Sequence, residues 1–339
     1  MIHRAALAVL SVSLFAAAPA NRVNEVIDVV RTGLRNRQSD GAIAKSLHKM
    51  KLAERLEGRV IEELESEGAG PKALAELALL GDSSGRLPPP AAPLPFDTPP
   101  APATPELRRV LSEASAIAVN YAKSLPDFIC IQTVRRSDNL TGRWRLNDTL
   151  ELKLSYFGQK EDYKLLSVNG RPTGQSYDSI GGAITQGEFG SLLRQVFEPK
   201  SLAEFRWDHW TRLRKRQAYV VAFVIRAENS SFRLEFQRGR GTHRYSIVPG
   251  QRGFVWIDRE TNNVLRIQAE ADDVPPEFPV RSSSTLLDYE FTAVGDRQFL
   301  LPLRADVRLG SKEFLTKNQV EFQAYRKFSS EATISFDAK

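Results

Sequence analysis

Hydrophobic and polar side chains alternate along much of this chain after Phe128, and the longest such run covers residues 144–156. Every second position from Trp144 to Tyr156 is hydrophobic except Asp148, and the positions between them are polar or charged. Successive side chains of a β-strand point to opposite faces, so the run predicts a strand with one buried face and one face in water. Shorter alternating stretches follow near the C-terminus: 287–291, 303–309 and 320–324.

Two hydrophobic runs flank a polar turn and predict a β-hairpin. The runs are Phe254–Ile257 and Val264–Ile267, and the turn contains Asp258, Asn262 and Asn263. Asn and Asp tolerate the backbone conformations of tight turns. Asp258 is therefore interpreted as a turn-forming residue and not as a catalytic acid.

Further strand candidates follow one another without long helices between them, which predicts an antiparallel meander. They are Tyr163–Val168, Glu204–Leu213, Tyr219–Ala227, Phe232–Gln237, Thr242–Val248 and Thr333–Phe336. Two amphipathic helices are predicted among them. One carries its hydrophobic residues from Leu107 to Tyr121, with Thr104 as its N-cap, and the other spans Gly187–Phe197. Each has one hydrophobic face, so both are expected to cover the sheet.

The first twenty residues predict a secretory signal peptide. A short basic start, Met1–Arg4, precedes an apolar segment, Ala5–Ala18, and small residues stand before an expected cleavage site at Asn21. The apolar segment is too short to span a bilayer comfortably, and no later segment is long enough. We therefore expect a periplasmic or secreted protein without a transmembrane segment after the leader is removed.

The rest of the chain is predicted to fold in two parts. Residues 21–82 show four short helical patterns, which predict a small helical module. Ser39 and Asp40 can cap the second helix, and Gly68 can stop the third. The hydrophobic residues of the third pattern are Leu52, Leu56, Val60, Ile61 and Leu64. Residues 83–105 are rich in proline and predict a semi-rigid linker. Residues 106–339 contain the predicted sheet and its two helices.

Catalytic motifs are missing from the sequence. His48, His209 and His243 show no ligand-like spacing to one another or to Cys130, so no metal site is predicted. Cys130 is the single cysteine and is interpreted as a small hydrophobic residue on a strand. No catalytic residue and no cofactor is predicted, and an unrecognised hydrolase is the third hypothesis for function.

The net charge of +6 arises in residues 106–339, where 35 basic residues outnumber 29 acidic ones. Its densest cluster is Arg212, Arg214, Lys215 and Arg216. This cluster predicts either a solvated hairpin turn or a basic rim that meets anionic lipid headgroups. Nucleic acid is not expected as a partner, because the exported chain has no nucleic-acid-binding motif.

The hairpin strands Val255–Asp258 and Val264–Ala269, followed by Leu287–Tyr289 and Phe299–Pro302, resemble LolA/LolB-type lipoprotein carriers. The resemblance implies a mainly β fold: a strongly curved antiparallel half-barrel of about eleven strands, covered by the two amphipathic helices. It also implies an apolar concave face that holds acyl chains. The candidate lining residues are Trp144, Leu150, Leu152, Leu154, Tyr156, Leu287, Tyr289, Phe291, Leu303 and Val307.

Two functions follow from these observations. The first is a non-enzymatic carrier that binds a lipid, a lipidated protein or another apolar ligand on the concave face. The second is a scaffold of the cell envelope, with a filled β core and with residues 21–82 docking on an envelope protein. In the second case each candidate lining residue is an ordinary core residue.

Overall fold

The computed structural model describes residues 20–140, 144–180, 189–237, 244–311 and 314–328. The predicted signal peptide, apart from Ala20, and the predicted strand Thr333–Phe336 lie outside these ranges. The chain divides into two compact units, with the boundary between Asp97 and Thr98. We call them the helical unit and the sheet unit.

From residue 20 onward the helical unit contains four helices: α1 Val23–Arg35, α2 Asp40–His48, α3 Gly58–Glu67 and α4 Pro71–Ser84. The predicted cap of α2 is present, because the Ser39 hydroxyl accepts a hydrogen bond from the Ala42 amide at 3.3 Å. Gly68 ends α3 in the left-handed conformation, with φ at 111°, as its position after a helical pattern predicts. The buried faces of the four helices form one hydrophobic core.

The third helix begins later than its hydrophobic spacing predicts. Leu52 and Leu56 precede α3, which starts at Gly58. The Ala53 amide donates to the Asn21 main-chain oxygen at 2.9 Å, and the Leu56 amide donates to the Ser84 hydroxyl at 3.1 Å. These tertiary hydrogen bonds replace those of a helix, so packing overrides local periodicity here.

Part of the proline-rich segment contacts the helical unit. The Arg55 amide donates to the Pro88 oxygen at 2.7 Å, and the Ala91 amide donates to the Glu54 carboxylate at 3.1 Å. The Arg31 guanidinium also lies 5.2 Å from the centre of the Phe96 ring. The segment therefore has defined contacts up to Phe96, within the range that the sequence predicts as a linker.

The sheet unit is built on eleven antiparallel strands that form one open sheet, which confirms the predicted fold class. Their spatial order is β4-β3-β2-β1-β13-β12-β11-β10-β9-β6-β5. The bounds are β1 Phe128–Asp138, β2 Arg145–Phe157, β3 Lys160–Val168, β4 Arg171–Pro172, β5 Glu204–Leu213, β6 Arg216–Ile225, β9 Gly250–Asp258, β10 Val264–Asp272, β11 Val280–Val294, β12 Arg297–Ser311 and β13 Leu315–Lys327. A separate hairpin, β7 Leu234–Gln237 with β8 Arg244–Ile247, lies between β6 and β9 in the chain.

The predicted antiparallel meander contains one pairing between strands that are far apart in sequence. β1 pairs with β13, so the first and last strands that the structure describes are neighbours in the middle of the sheet. The remaining pairs join strands that are close in sequence, apart from β6 with β9, which skips the separate hairpin. Period-two alternation identifies strands but contains no information on which strands pair at long range.

Two amphipathic helices pack on the sheet, as predicted. The first, α5, spans Thr104–Ser124 with Ala103 as its N-cap, one residue before the predicted cap. The second, α6, spans Ser191–Phe197, and the predicted first residue of this helix, Gly187, lies outside the described ranges. Both helices share one hydrophobic core with the strands. No helix within the described ranges is long and apolar enough to cross a membrane.

Candidate functional site

An unbroken row of ten apolar side chains crosses the sheet on the face that packs against α5 and α6. Each member is the ladder partner of the next, from edge strand β5 through to β3. We call it the apolar row. It consists of Trp207, Val221, Val255, Ile267, Leu287, Ala305, Val320, Val134, Leu150 and Val168. The eight inner members are at most 5% exposed, so the row is a continuous apolar band across ten neighbouring strands.

Helix α5 is fastened over this face by polar contacts as well as by packing. The Tyr121 hydroxyl donates to the Leu300 oxygen, and the Tyr156 hydroxyl donates to the Ala122 oxygen, both at 2.8 Å. Near the other end of the helix the Tyr219 hydroxyl donates to the Glu106 carboxylate at 2.7 Å. Burial, then the hydrogen bond and charge of Glu106, raise the pKa of Tyr219 to about 12. The helix is therefore held at both ends.

The shorter helix is linked to α5 by the Ser115 hydroxyl, which donates to the Phe197 oxygen at 3.2 Å. Aromatic rings surround its start: Phe189 lies 5.2 Å from Phe128 and 5.7 Å from Phe322, measured between ring centroids. Contacts of this kind add about 0.5–1.5 kcal/mol each beyond the burial of hydrophobic area. The cover over this end of the sheet is therefore mainly aromatic.

A buried glutamine interrupts this apolar face. Gln132 lies between Cys130 and Val134 on the same face of β1, and its ladder neighbours are Phe322 and Leu152. Its exposure is 0%, and neither its amide nitrogen nor its amide oxygen has a hydrogen-bond partner among the described residues. Buried amides without partners are uncommon in folded proteins, because desolvation costs about 1–3 kcal/mol for each unpaired group.

A cavity of about 600 Å³ opens at the β3–β4 edge of the sheet. Val168, the last member of the apolar row, lines it and also packs on the main core. Arg171, on β4, is exposed at the same cavity and has no ion pair among the described residues. The other lining residues are Asn169, Pro172, Thr173 and Gln175. The cavity thus joins solvent, a cation and the end of the apolar row.

Six of the ten predicted lining residues are buried in the core beneath the helices. They are Leu150, Leu152, Leu154, Tyr156, Leu287 and Tyr289. Their alternation was sufficient to place them on one face, and the ladders bring them together. Whether they contact a ligand stays a prediction.

The other four predicted lining residues are only half-buried. The Trp144 ring lies 4.7 Å from the Lys317 ammonium, and the Phe291 ring lies 5.3 Å from the Arg216 guanidinium. Leu303 falls at a register shift and has no ladder partner on β11, and Val307 pairs with Thr285. Beside these four lie a cation, a register shift or a polar side chain, and their contact with a ligand stays a prediction.

The predicted basic rim spans the β5–β6 hairpin: Arg212 lies on β5, Arg214 and Lys215 form the two-residue turn, and Arg216 begins β6. Arg212 and Lys215 are exposed there. Arg216 forms a bidentate ion pair with the buried Asp258 carboxylate, at 3.0 and 2.7 Å. Arg214 points to the buried carboxylate of Asp288, at 3.2 Å. Arg214 and Arg216 are thus engaged by buried carboxylates of the sheet, and headgroup binding by the cluster stays a prediction.

Asp258 has more contacts than a turn former needs. Its carboxylate accepts the Thr261 amide at 3.1 Å and the Thr261 hydroxyl at 2.6 Å, as a turn-forming residue does. It is also fully buried and pairs with Arg216. The turn interpretation is therefore correct but incomplete.

Asp288 corrects one expectation from the alternation. Asp288 lies between Leu287 and Tyr289 in the alternating stretch, so the pattern predicts that its side chain is on the other face of the strand, in water. The side chain is instead buried, with 1% exposure. Arg266, Arg304 and Arg214 surround it. Burial by itself raises the pKa of Asp288, but the three guanidinium groups outweigh that effect and hold it well below the usual range. A single alternating strand contains no signal for such a cluster, because its cations come from three other segments.

The histidines and carboxylates of the described residues form no group suited to a metal ion. His48 contacts Glu76, and His209 contacts Asp208, while His243 lies outside the described ranges. Cys130 is buried and forms no disulfide.

The protein has an open antiparallel sheet with one face covered by two helices, and a cavity lies at one edge of that sheet. No protein-family model and no curated protein sequence matches the chain. Among solved structures, it is similar to a DUF1329 family protein from Desulfovibrio piger, with 10% identity and a TM-score of 0.31, over 67% of this chain and 94% of that one.

Two further solved structures are similar over comparable lengths. A LolA superfamily protein from Nitrosomonas europaea is 9% identical, with a TM-score of 0.26, over 66% of this chain and 93% of that one. A putative outer membrane lipoprotein-sorting protein domain from Vibrio parahaemolyticus is 8% identical, with a TM-score of 0.31, over 65% and 92%. The Nitrosomonas europaea protein belongs to the superfamily that the hairpin strands resemble, and likeness at these TM-scores assigns no role to any residue of this chain.

Proposed function

We propose that this protein is an exported, non-enzymatic carrier that binds the acyl chain of a lipid or of a lipidated protein on the helix-covered face of its sheet. The observation that carries the proposal is the junction of the cavity with the apolar row at Val168. An apolar chain that enters the cavity meets a continuous hydrophobic surface. Burial on such a surface contributes about 0.8 kcal/mol per methylene group.

The cavity has a charged side at Arg171 and an apolar side at Val168, which suits an amphiphile. The Arg171 guanidinium is exposed beside the cavity, whereas Val168 leads to the apolar interior. An anionic headgroup can remain in water against Arg171 while the chain is buried. Guanidinium groups suit carboxylate and phosphate because they donate two parallel hydrogen bonds.

The helices have to yield for a chain to follow the row, since the inner members of the row are already packed. Helix α5 is fastened at both ends, whereas α6 has seven residues and, within the described part of the chain, is hydrogen-bonded to α5 through the Ser115 hydroxyl. A ligand is therefore expected to displace α6 and its aromatic neighbours. Local openings of this kind involve the elements with the fewest stabilising contacts.

The proposal is tested by the uptake of a fluorescent long-chain fatty acid and by mass spectrometry of lipids extracted from protein purified out of its native envelope. Val168→Asp places a charge where the cavity joins the row and is expected to lower the affinity at least about tenfold. Val224→Asp is the matched control, because Val224 is 44% exposed on β6. Wild-type protein without extracted lipid and without uptake would refute the proposal, as would equal losses in both variants.

The envelope scaffold is the second candidate. The observation that favours it is the close packing of α5, since Val110 and Ala114 are 0% exposed beneath the helix. In that case the core is filled and the helical unit contacts an envelope protein. Absence of uptake, together with partner capture that is lost on deletion of residues 21–97, would support this function.

A further inference from the structure

Gln132 is the polar group most deeply enclosed by the proposed binding face. Its ladder neighbours, Phe322 and Leu152, are at most 4% exposed, and Cys130 and Val134 flank it along the strand. Both amide atoms are shielded from solvent and have no hydrogen-bond partner among the described residues. A leucine here would fill the same space without the cost of an unpaired amide.

The position of Gln132 relative to the cavity is set by the sheet. It lies on β1, two strands from β3, where Val168 lines the cavity. Neighbouring strands are about 4.8 Å apart, so the amide lies on the order of 10 Å in from the cavity. A chain whose headgroup stays near Arg171 would bring one of its middle carbons to Gln132.

We propose that Gln132 binds a hydroxyl group on the acyl chain of the ligand, so that the protein selects hydroxylated chains over plain ones. The inference rests on the proposed function, because it requires a chain on the apolar face. The hydroxyl oxygen accepts a hydrogen bond from the amide nitrogen, and the hydroxyl proton is donated to the amide oxygen. One small neutral group thereby satisfies both atoms.

Other polar groups of lipids fit this position less well. An ester only accepts hydrogen bonds and leaves the amide oxygen of Gln132 unpaired. A secondary amide in the trans form directs its donor and acceptor to opposite sides. A charged phosphate or carboxylate would lose its hydration among Phe322, Leu152 and Val134, at a cost of several kcal/mol. The hydroxyl is neutral and both donates and accepts.

The test compares stearic acid with hydroxystearic acids that carry the hydroxyl at successive positions from carbon 3 to carbon 12. Affinities are measured by displacement of the fluorescent fatty acid from the full chain. Wild-type protein is expected to bind at least one hydroxylated isomer about tenfold more tightly than stearic acid. Gln132→Leu is expected to abolish that preference while binding stearic acid at least as tightly as the wild type.

Two further variants keep the result interpretable. Gln132→Met, with a side chain of similar length, replaces the leucine variant if that variant does not fold. Gln251→Leu is the matched control, since Gln251 is 2% exposed and lies on the same face at β9, and it should retain the hydroxyl preference.

Each outcome decides the inference. Uptake of stearic acid with no hydroxyl preference in the wild type would overturn the role of Gln132 and leave the proposed function standing. An unchanged preference in Gln132→Leu, with a loss of stability, would show that the amide has a structural role bridged by water. Absence of uptake of every fatty acid would overturn both proposals.

Discussion

Asp288 and Arg266 face each other on neighbouring strands of the sheet and form a bidentate ion pair, with Nε–Oδ1 at 2.6 Å and Nη2–Oδ2 at 3.0 Å. The Arg304 Nε atom lies 2.7 Å from the same carboxylate. Arg214 adds a third guanidinium, and it also donates to the Tyr289 main-chain oxygen at 2.7 Å. A single buried carboxylate thus joins β10, β11 and β12 to the β5–β6 turn.

Replacing Asp288 by Asn should lower the free energy of unfolding by about 3–5 kcal/mol, because the change leaves the buried Arg266 charge uncompensated. Urea unfolding measures the loss. Asp306→Asn is the control, since the Asp306–Arg308 pair on β12 is more exposed and should cost at most about 1 kcal/mol. Equal losses in the two variants would contradict a special role for Asp288.

The contribution of Asp288 should also depend on pH. Its pKa is held below the usual value of about 3.9, so the folded state keeps the carboxylate charged where the unfolded chain binds a proton. Its stabilisation is therefore fully present above about pH 4–5 and is lost as the pH falls through the folded-state pKa. The difference in unfolding free energy between wild type and Asp288→Asn should be constant from pH 6 to 8 and should shrink in acid. A difference that grows in acid would have the wrong sign.

Gly253 should not tolerate a side chain, although its φ is not in the left-handed region. A Cβ atom there would lie 1.9 Å from the Gln268 main-chain oxygen on β10. The neighbour is backbone and cannot move aside, so Gly253→Ala should cost about 3 kcal/mol or more. Gly174→Ala is the control, because a Cβ atom at Gly174 has nothing within 4 Å. Thermal unfolding of both variants checks the prediction, and similar melting temperatures would refute it.

The exposed part of the basic rim should contribute to contact with anionic membranes. The double change Arg212→Gln and Lys215→Gln removes two exposed cations and should weaken binding to phosphatidylglycerol vesicles, by about 1 kcal/mol for each charge. The matched control, Arg226→Gln with Arg252→Gln, removes the same charge from side chains that are 68% and 59% exposed. Co-sedimentation with vesicles measures both, and equal losses would indicate a general effect of net charge.

The sequence by itself determined the secondary structure and its sidedness. Alternation from Leu150 to Tyr156 predicted a strand with one buried face, and the hydrophobic faces of α5 and α6 predicted their place on the sheet. Local rules suffice here, because the period of two or 3.6 follows from the backbone geometry of a single segment. The Ser39 cap, the Gly68 stop and the Asp258 turn could also be predicted, because each depends on residues within one short segment.

Only the tertiary structure decided which groups meet. The pairing of β1 with β13, the three cations around Asp288 and the junction of Val168 with the cavity each join segments distant in sequence. The pattern of residues within one segment does not predict contacts with distant segments. Gln132 stands between the two cases: its alternation with Cys130 and Val134 already places it on the buried face, but the partnerless state of its amide depends on Phe322 and Leu152 beside it. Long-range strand pairing decides whether a buried polar group has a hydrogen-bond partner, so only the folded structure shows whether it has one.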